Sequence, residues 1–275
     1  MSRIVMTGAA GGVGQMLRPL LAQRYTMVLS DRADAPADLA ANETWVQADL
    51  TRAEDMMELM RGADGLIHLG GQSIEADWQT VHAPNIAGLH NVFEACRDNG
   101  VPRVIFASSN HAVGFYSRDR RIGVDEAVRP DGLYGLSKAF GEAMGSLYAD
   151  KFGLRVMSIR IGNIAQKPAD KRRLAIWMHP DDLMQMIAIG LEHPDVHHNI
   201  VYGASHNERA WWDNSAAFAL GYKPAHSAED HVDYALAEQA KIAADPVGDL
   251  LQGGTFCADG FDGDLPRVLT ARLPR

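Results

Sequence analysis

The sequence predicts an α/β fold: a doubly wound parallel sheet with a small C-terminal lobe. Three observations predict it. Short apolar runs alternate with segments of helical spacing through the first half of the chain, as in βαβ units whose sheet is covered on both faces. The first apolar run passes directly into a glycine-rich turn, TGAAGGVG (7–14), and then into a helical pattern. After residue 161 the alternation loosens into polar loops and shorter segments.

The expected strands, in order, are RIVMT (3–7), TMVLSD (26–31), TWVQAD (44–49), GLIHLG (65–70), RVIFAS (103–108) and RVMSIR (155–160). Each is a β-branched or aliphatic run of strand length bounded by turn residues. Between them, apolar residues recur at helical spacing in 14–23, 53–60, 85–100 and 133–153. Right-handed crossovers then make the strands parallel. Beyond them lie a polar loop (163–173), a helix over 180–192, a short strand NIVYG (199–203) and a helix after WWDN (211–214). The stretch 252–267, rich in Gly and Asp, reads as loop. With no repeat, low-complexity tract or clear linker, the chain reads as a single domain over 1–275, with a lobe formed mainly by about 163–275.

Composition narrows the class. The 275 residues are 47% apolar and 22% charged, an ordinary globular balance. A net charge of −9 argues against a general nucleic-acid binder. No apolar run reaches the ~18–20 residues that cross a bilayer, and the N-terminus enters a strand at once, unlike a signal peptide. Cys96 and Cys257 stand far apart and read as free thiols of a reducing compartment. A cytoplasmic protein with no nucleic-acid or membrane partner is expected.

The turn TGAAGGVG supplies Gly8, Gly11, Gly12, Val13 and Gly14 between a strand and a helix. A phosphate approaches backbone closely only where side chains are missing, and helix N-terminal amides then face its charge. The bland alternative is a tight strand–helix turn. Asp31 ends the second strand 17 residues after Gly14, where a carboxylate accepts from both ribose hydroxyls and repels a 2′-phosphate. This favours NAD over NADP, although the neighbouring Arg32 could shelter that phosphate. Asp49 and Leu50 end the third strand, and Leu69 and Gly70 the fourth, on the expected cofactor side. Asp49 could accept from an adenine amino group or cap the helix that follows. The whole is a Rossmann-like NAD-binding arrangement.

Tyr134 and Lys138, in YGLSK, stand at i and i+4 on one helix face. An ammonium beside a phenol favours phenolate and lowers its pKa, producing a usable general base. Ser109 precedes Tyr134 by 25 residues, at the C-terminal end of the fifth strand, the edge where open α/β sheets bind ligands. A surface Tyr–Lys pair on an amphipathic helix is the alternative. The basic run KPADKRR (167–173) follows the sixth strand in this acidic chain, and a guanidinium there could grip a carboxylate with two parallel bonds. A solvated basic loop is the alternative, and Arg172 and Arg173 are both candidates.

TGAAGGVG, Asp31, Asn85, Ser109 and YGLSK stand in the order and spacing of the extended short-chain dehydrogenase/reductases, which residues 1–165 resemble. HLGGQS (68–73), FASSNHAVGFY (106–116), RPDGLYGLSKAFGE (129–142), YGASHNERAWWDNS (202–215) and QGGTF (252–256) further resemble the uronate dehydrogenases. That resemblance implies NAD-dependent oxidation of the C1 hydroxyl of a cyclic hexuronate to an aldarolactone. It implies that Tyr134 takes the hydroxyl proton, Lys138 holds the nicotinamide ribose and Ser109 bonds the reacting oxygen. Asn85 would support the active-site helix. Ser73, Asn110 and His111 would contact sugar hydroxyls, Arg172 the substrate carboxylate, and Phe256 would close the pocket.

One departure stands out: Asn163 occupies the position after RIG where that family has a substrate-contacting serine. An amide donates as well as accepts, so it could hold the same hydroxyl or reshape the pocket for another acidic or neutral aldose. A nucleotide-sugar epimerase would need a larger second domain, and a silent NAD sensor would not require Ser109, Tyr134 and Lys138 together. Trp211 and Trp212 read as packing of the lobe rather than a sugar platform. No metal site is supported, since His197 and His198 lack a carboxylate cluster. Helices at 85–100 and 133–153 could form a homo-oligomer face.

Overall fold

A computed structural model describes residues 2–271. Its strands and helices follow the expected alternation. The elements run β1 (Arg3–Thr7), α1 (Gly12–Leu21), β2 (Thr26–Asp31), β3 (Glu43–Gln47), α2 (Ala53–Leu59), β4 (Gly65–His68), α3 (Trp78–His82), α4 (Leu89–Asp98) and β5 (Arg103–Ser109). They continue with α5 (Leu133–Phe152), β6 (Arg155–Ile161), β7 (Asn163–Ile164), α6 (Arg173–Ile176), β8 (Trp177–Met178), α7 (Pro180–Glu192) and β9 (His198–Gly203). Then come α8 (Ser215–Ala219), α9 (Val232–Gln239), α10 (Thr255–Ala258) and α11 (Leu265–Thr270). A seven-stranded sheet has the order β3-β2-β1-β4-β5-β6-β9, and β7 pairs with β8 in a small ribbon. The ladders of β1 with β2 and β4, of β2 with β3 and of β4 with β5 are parallel. Among the described residues, no helix is long and apolar enough to cross a membrane.

Two regions differ from expectation. The Gly/Asp-rich stretch 252–267 is not simply loop: it holds α10 and the start of α11. Asp264 caps α11 by accepting from the Arg267 amide, with proline in its first turn, a start signal that outweighs the composition. The polar stretch 163–173 likewise begins with a strand residue pair, Asn163 opposite Trp177.

The chain divides into two compact units. The first comprises residues 1–107, 140–158 and 184–199. Its core packs Val5, Val28 and Leu66 of the sheet against Met56, Leu59, Val92 and Phe93 of α2 and α4. β1 is flanked on both sides, with Thr7 opposite Ser30 of β2 and His68 of β4. The buried Thr7 Oγ lies 2.8 Å from His68 Nδ1, tying two strand ends together where β1 gives way to the glycine turn.

The second unit comprises residues 108–139, 159–183 and 200–275. Its core is aromatic: Tyr202 stacks on Trp212 with centroids 4.7 Å apart and planes 10° from parallel. Arg160 is buried over the Tyr202 ring, 5.6 Å from its centroid. Trp212 is buried and Trp211 packs beside Arg118, 5.3 Å from its ring, so both tryptophans pack the lobe. The buried Gln252 acts as a hub. It donates to the carbonyls of Ser117 (3.0 Å) and Arg120 (2.9 Å) and accepts from Trp212 Nε1 (3.0 Å). A fully bonded amide fixes the chain around it, here the QGGTF segment.

Candidate active site

In the first unit, the turn after β1 is shaped by steric necessity. Gly8 has φ +73°, and a Cβ there would meet the backbone nitrogen of Gly70 at 2.7 Å. Only glycine fits both constraints. Gly11 is the N-cap of α1 and no side chain caps that helix start, so its first-turn amides face the turn uncovered by a side chain. A cavity of about 630 Å³ opens beside it. Gly8, Gly11, Gly12, Val13 and Gly14 line it, with Asp31 and Arg32, Asp49 and Leu50, and Leu69 and Gly70. Ser73 lines the same cavity.

The acidic residues of that cavity have different duties. Asp31 Oδ2 accepts from the Ala10 amide (3.1 Å) and Oδ1 from the Arg32 amide (2.8 Å), so the carboxylate braces the glycine turn it faces. Asp49 Oδ1 accepts from the Thr51 amide (2.9 Å) and hydroxyl (2.8 Å), and these bonds hold its carboxyl below the usual range. These bonds close a turn before α2 and do not cap it, since the N-cap of that helix is Arg52. Asn85 lies buried in a wide π-type turn, Ala83–Gly88. Its amide clasps Gln72 from both sides, accepting from the backbone nitrogen (2.7 Å) and donating to the carbonyl (3.0 Å). It thereby fixes the segment that carries Ser73. A cradle without side chains, uncovered helix amides and a carboxylate at the end of β2 fit a dinucleotide.

In the second unit, Ser109, Tyr134 and Lys138 are buried together. The Ser109 hydroxyl is hydrogen-bonded to Tyr134 and also accepts from the His111 amide at 3.2 Å. Lys138 Nζ stands 5.4 Å from the Tyr134 ring centroid. The expected lowering of the Tyr134 pKa is not what these groups produce by themselves. Burial pushes the phenol up to about 12, with the Ser109 bond opposing and Asp131 reinforcing the rise. Burial also brings Lys138 down to about 8. Both groups have left water, and desolvation disfavours the charged form of each.

Arg172 and Arg173, neighbours in sequence, part company. Arg173 is ion-paired to Asp170. Arg172 donates from Nε to the Gln252 carbonyl (2.9 Å), and its Nη2 donates to the side-chain oxygen of Asn110 (3.1 Å), whose amide nitrogen donates to the Ile161 carbonyl (3.1 Å). Burial, with Arg173 and Arg118 nearby, brings Arg172 down to about 10. Asn110, expected to meet a sugar hydroxyl, also holds this guanidinium through its amide oxygen. Phe256 stacks on His111 at 4.0 Å and 20°, and stands edge-on to Tyr134 at 6.3 Å. Asn163 is half-buried on β7.

The residue that sequence reasoning missed is Asp131. Its carboxylate is fully buried, with Oδ2 2.6 Å from His111 Nδ1. The sequence offers only an aspartate three residues before Tyr134, which resembles any residue near a helix start.

Among the described residues, this unit holds a further histidine–carboxylate cluster. His179, Asp181 and His226 bring ligand atoms within 4.8 Å of one another. The two imidazoles stack face to face, 3.6 Å apart and 17° from parallel. Their in-plane lone pairs therefore run side by side instead of converging as metal ligation requires, and His179 Nδ1 already accepts from the Asp181 amide at 3.2 Å.

Residues 4–173 match the family described as the NAD dependent epimerase/dehydratase family. The chain is similar to the uronate dehydrogenase of Pseudomonas putida, 43% identical over 94% of this chain and 97% of that protein. It is also similar to the structure of an Agrobacterium tumefaciens uronate dehydrogenase variant complexed with NAD, 39% identical, TM-score 0.89, over 94% of this chain and 97% of that one. A glucuronic acid dehydrogenase from Chromohalobacter salexigens superposes with TM-score 0.87 at 40% identity, over 96% of this chain and 98% of that one.

Proposed function

Because the chain belongs to the NAD dependent epimerase/dehydratase family, and within it to the uronate dehydrogenases, we propose that it oxidises the C1 hydroxyl of a cyclic hexuronate to an aldarolactone. NAD supplies the hydride acceptor. The observation that carries this reading is the buried Ser109–Tyr134–Lys138 group in the same unit as a bound-down Arg172.

Tyr134, as phenolate, takes the proton of the C1 hydroxyl as hydride leaves that carbon. Ser109 hydrogen-bonds the same oxygen and holds it against the phenol. Lys138 carries the positive charge that offsets a phenolate in a dry site. Arg172 receives the substrate carboxylate. Its Nε is occupied by Gln252 and one Nη by Asn110, so the fork is held in one orientation before substrate arrives, which reduces the entropy cost of binding. Ser73, His111 and Asn163 meet sugar hydroxyls, and Phe256, stacked on His111, covers the pocket. Gly8 to Gly14 carry the pyrophosphate, with Asp31 serving the adenosine ribose and Arg32, Asp49, Leu50, Leu69 and Gly70 the rest of the nucleotide. Asn85 keeps the Ser73 segment in place.

Self-association is proposed on the exposed Leu147 and Phe152 of α5, and light scattering tests it. A reducing cytosol is proposed on the two buried free thiols. The second unit is proposed as the substrate-binding region. Purified protein with NAD should form NADH with galacturonate and glucuronate and much less with galactose, with an aldarolactone as product. Turnover of galactose but not of the uronates would refute the assignment.

A further inference from the structure

We propose that Asp131 is a positioning residue: it fixes the tautomer of His111, so that His111 offers Nε2 as an acceptor to one substrate hydroxyl. The inference rests on the second unit's serving the sugar, and adds how one of its polar groups is given a defined polarity.

Three observations support it. The Asp131 side chain is 0% exposed and its Oδ2 is 2.6 Å from His111 Nδ1. A carboxylate only accepts, so the hydrogen of that bond belongs to Nδ1, and a neutral ring then has its lone pair on Nε2. The nook around the carboxylate is made by glycines: a Cβ on Gly114 or Gly253 would overlap Oδ2, and one on Gly135 would lie 2.9 Å from Oδ1. These residues come from three separate stretches of the chain, so room for this group is built in rather than left over. Finally, Oδ1 has no hydrogen-bond partner among the described residues. Burying a carboxylate with so little compensation costs stability, and a helix cap would have spent its oxygens on helix amides. Oδ2 also receives a long contact from the Cys257 thiol (3.9 Å), and its close contact is to the ring beside the catalytic tyrosine.

The ring itself is held on three sides. The main-chain amide of His111 donates to Ser109 Oγ, the ring face stacks on Phe256 at 4.0 Å, and the ring plane stands 64° to Tyr134 with centroids 5.8 Å apart. Nε2 has no hydrogen bond among the described residues. An acceptor at this position favours a hydroxyl, which can donate, and disfavours an ionised carboxylate, which cannot. It complements Arg172, which only donates. Together the two would set which end of a hexuronate lies where.

The experiment is nitrogen NMR of the histidine-labelled protein, with the His111 signals assigned by loss in a His111→Gln variant. The expected result for the unaltered protein is a protonated Nδ1 and an unprotonated Nε2. Asp131→Asn should lose this bias, because an amide can donate to Nδ1 as well as accept from it. KM for galacturonate should rise about tenfold, as for one lost hydrogen bond, with kcat changed much less. A sugar lacking the contacted hydroxyl should bind the two proteins alike. A proton on Nε2 in the unaltered protein overturns the proposal, even if the variant does not fold. So does a variant with unchanged tautomer and unchanged KM. Should no hexuronate turn over at all, the substrate assignment falls while the NMR result still reports on the Asp131–His111 pair.

Discussion

The nucleotide turn of the first unit and the side-chain cluster proposed to bind the sugar in the second are built by opposite means. The turn is backbone geometry: a left-handed Gly8 against Gly70, uncovered amides at Gly11, and a carboxylate from the next strand. All of it arises from some 25 consecutive residues, plus the ends of two neighbouring strands. The sugar cluster is side-chain chemistry drawn from five segments, at residues 109–111, 131–138, 163, 172 and 252–256. Its members hold each other: Asn110 and Gln252 hold Arg172, and Asp131 and Phe256 hold His111. A site made from backbone tolerates few residue types, whereas a site made from side chains depends on its second layer.

Changes should therefore divide between the two regions. Tyr134→Phe should lower kcat by about a thousandfold, as for loss of a general base, with NAD affinity unchanged by titration calorimetry. Normal turnover in this variant would remove Tyr134 from the mechanism. Arg172→Ala should raise KM for galacturonate by about a hundredfold, as for two charge-assisted hydrogen bonds, whereas Arg173→Ala, removing a partner of Asp170, should change it less than about threefold. Equal losses would mean that the loop acts as a diffuse positive field. Gly8→Ala should weaken NAD binding by about tenfold and destabilise the fold by roughly 1–3 kcal/mol, the cost of an unfavourable backbone region, read by calorimetry and thermal melting. The smallest change concerns pH. Burial holds Tyr134 at about 12 and Lys138 at about 8, so ionising the phenol requires help from positive charge. Lys138→Met should move the rising limb of kcat against pH upward, towards the value for Tyr134. A limb that stays in place would mean that Lys138 does not tune the base.

The same contrast explains what was legible in the sequence. β1, β2 and α7 fall on their expected residues because apolar period and flanking turns agree there. The short helix α3 was missed, although Asp77 caps it by accepting from the Gln79 and Thr80 amides, as was α9. Both are brief, and α10 and α11 lie in Gly/Asp-rich sequence where composition points to loop. In the site, the glycine turn could be read from local chemistry alone. Ser109, Tyr134 and Lys138 could be read from spacing. Asp131 could not, since a buried carboxylate in a nook of glycines from distant stretches leaves no local pattern. Asn110 and Gln252 were visible only as members of resembling motifs, and their duty to Arg172 emerges from the folded chain.

The most direct measurement of the central claim is the ratio of kcat/KM for galacturonate to that for galactose, in the unaltered protein and in Arg172→Ala. The account predicts a strong preference for the acid sugar that collapses in the variant, chiefly through KM. A preference that survives the substitution, or one for the neutral sugar from the outset, would contradict it.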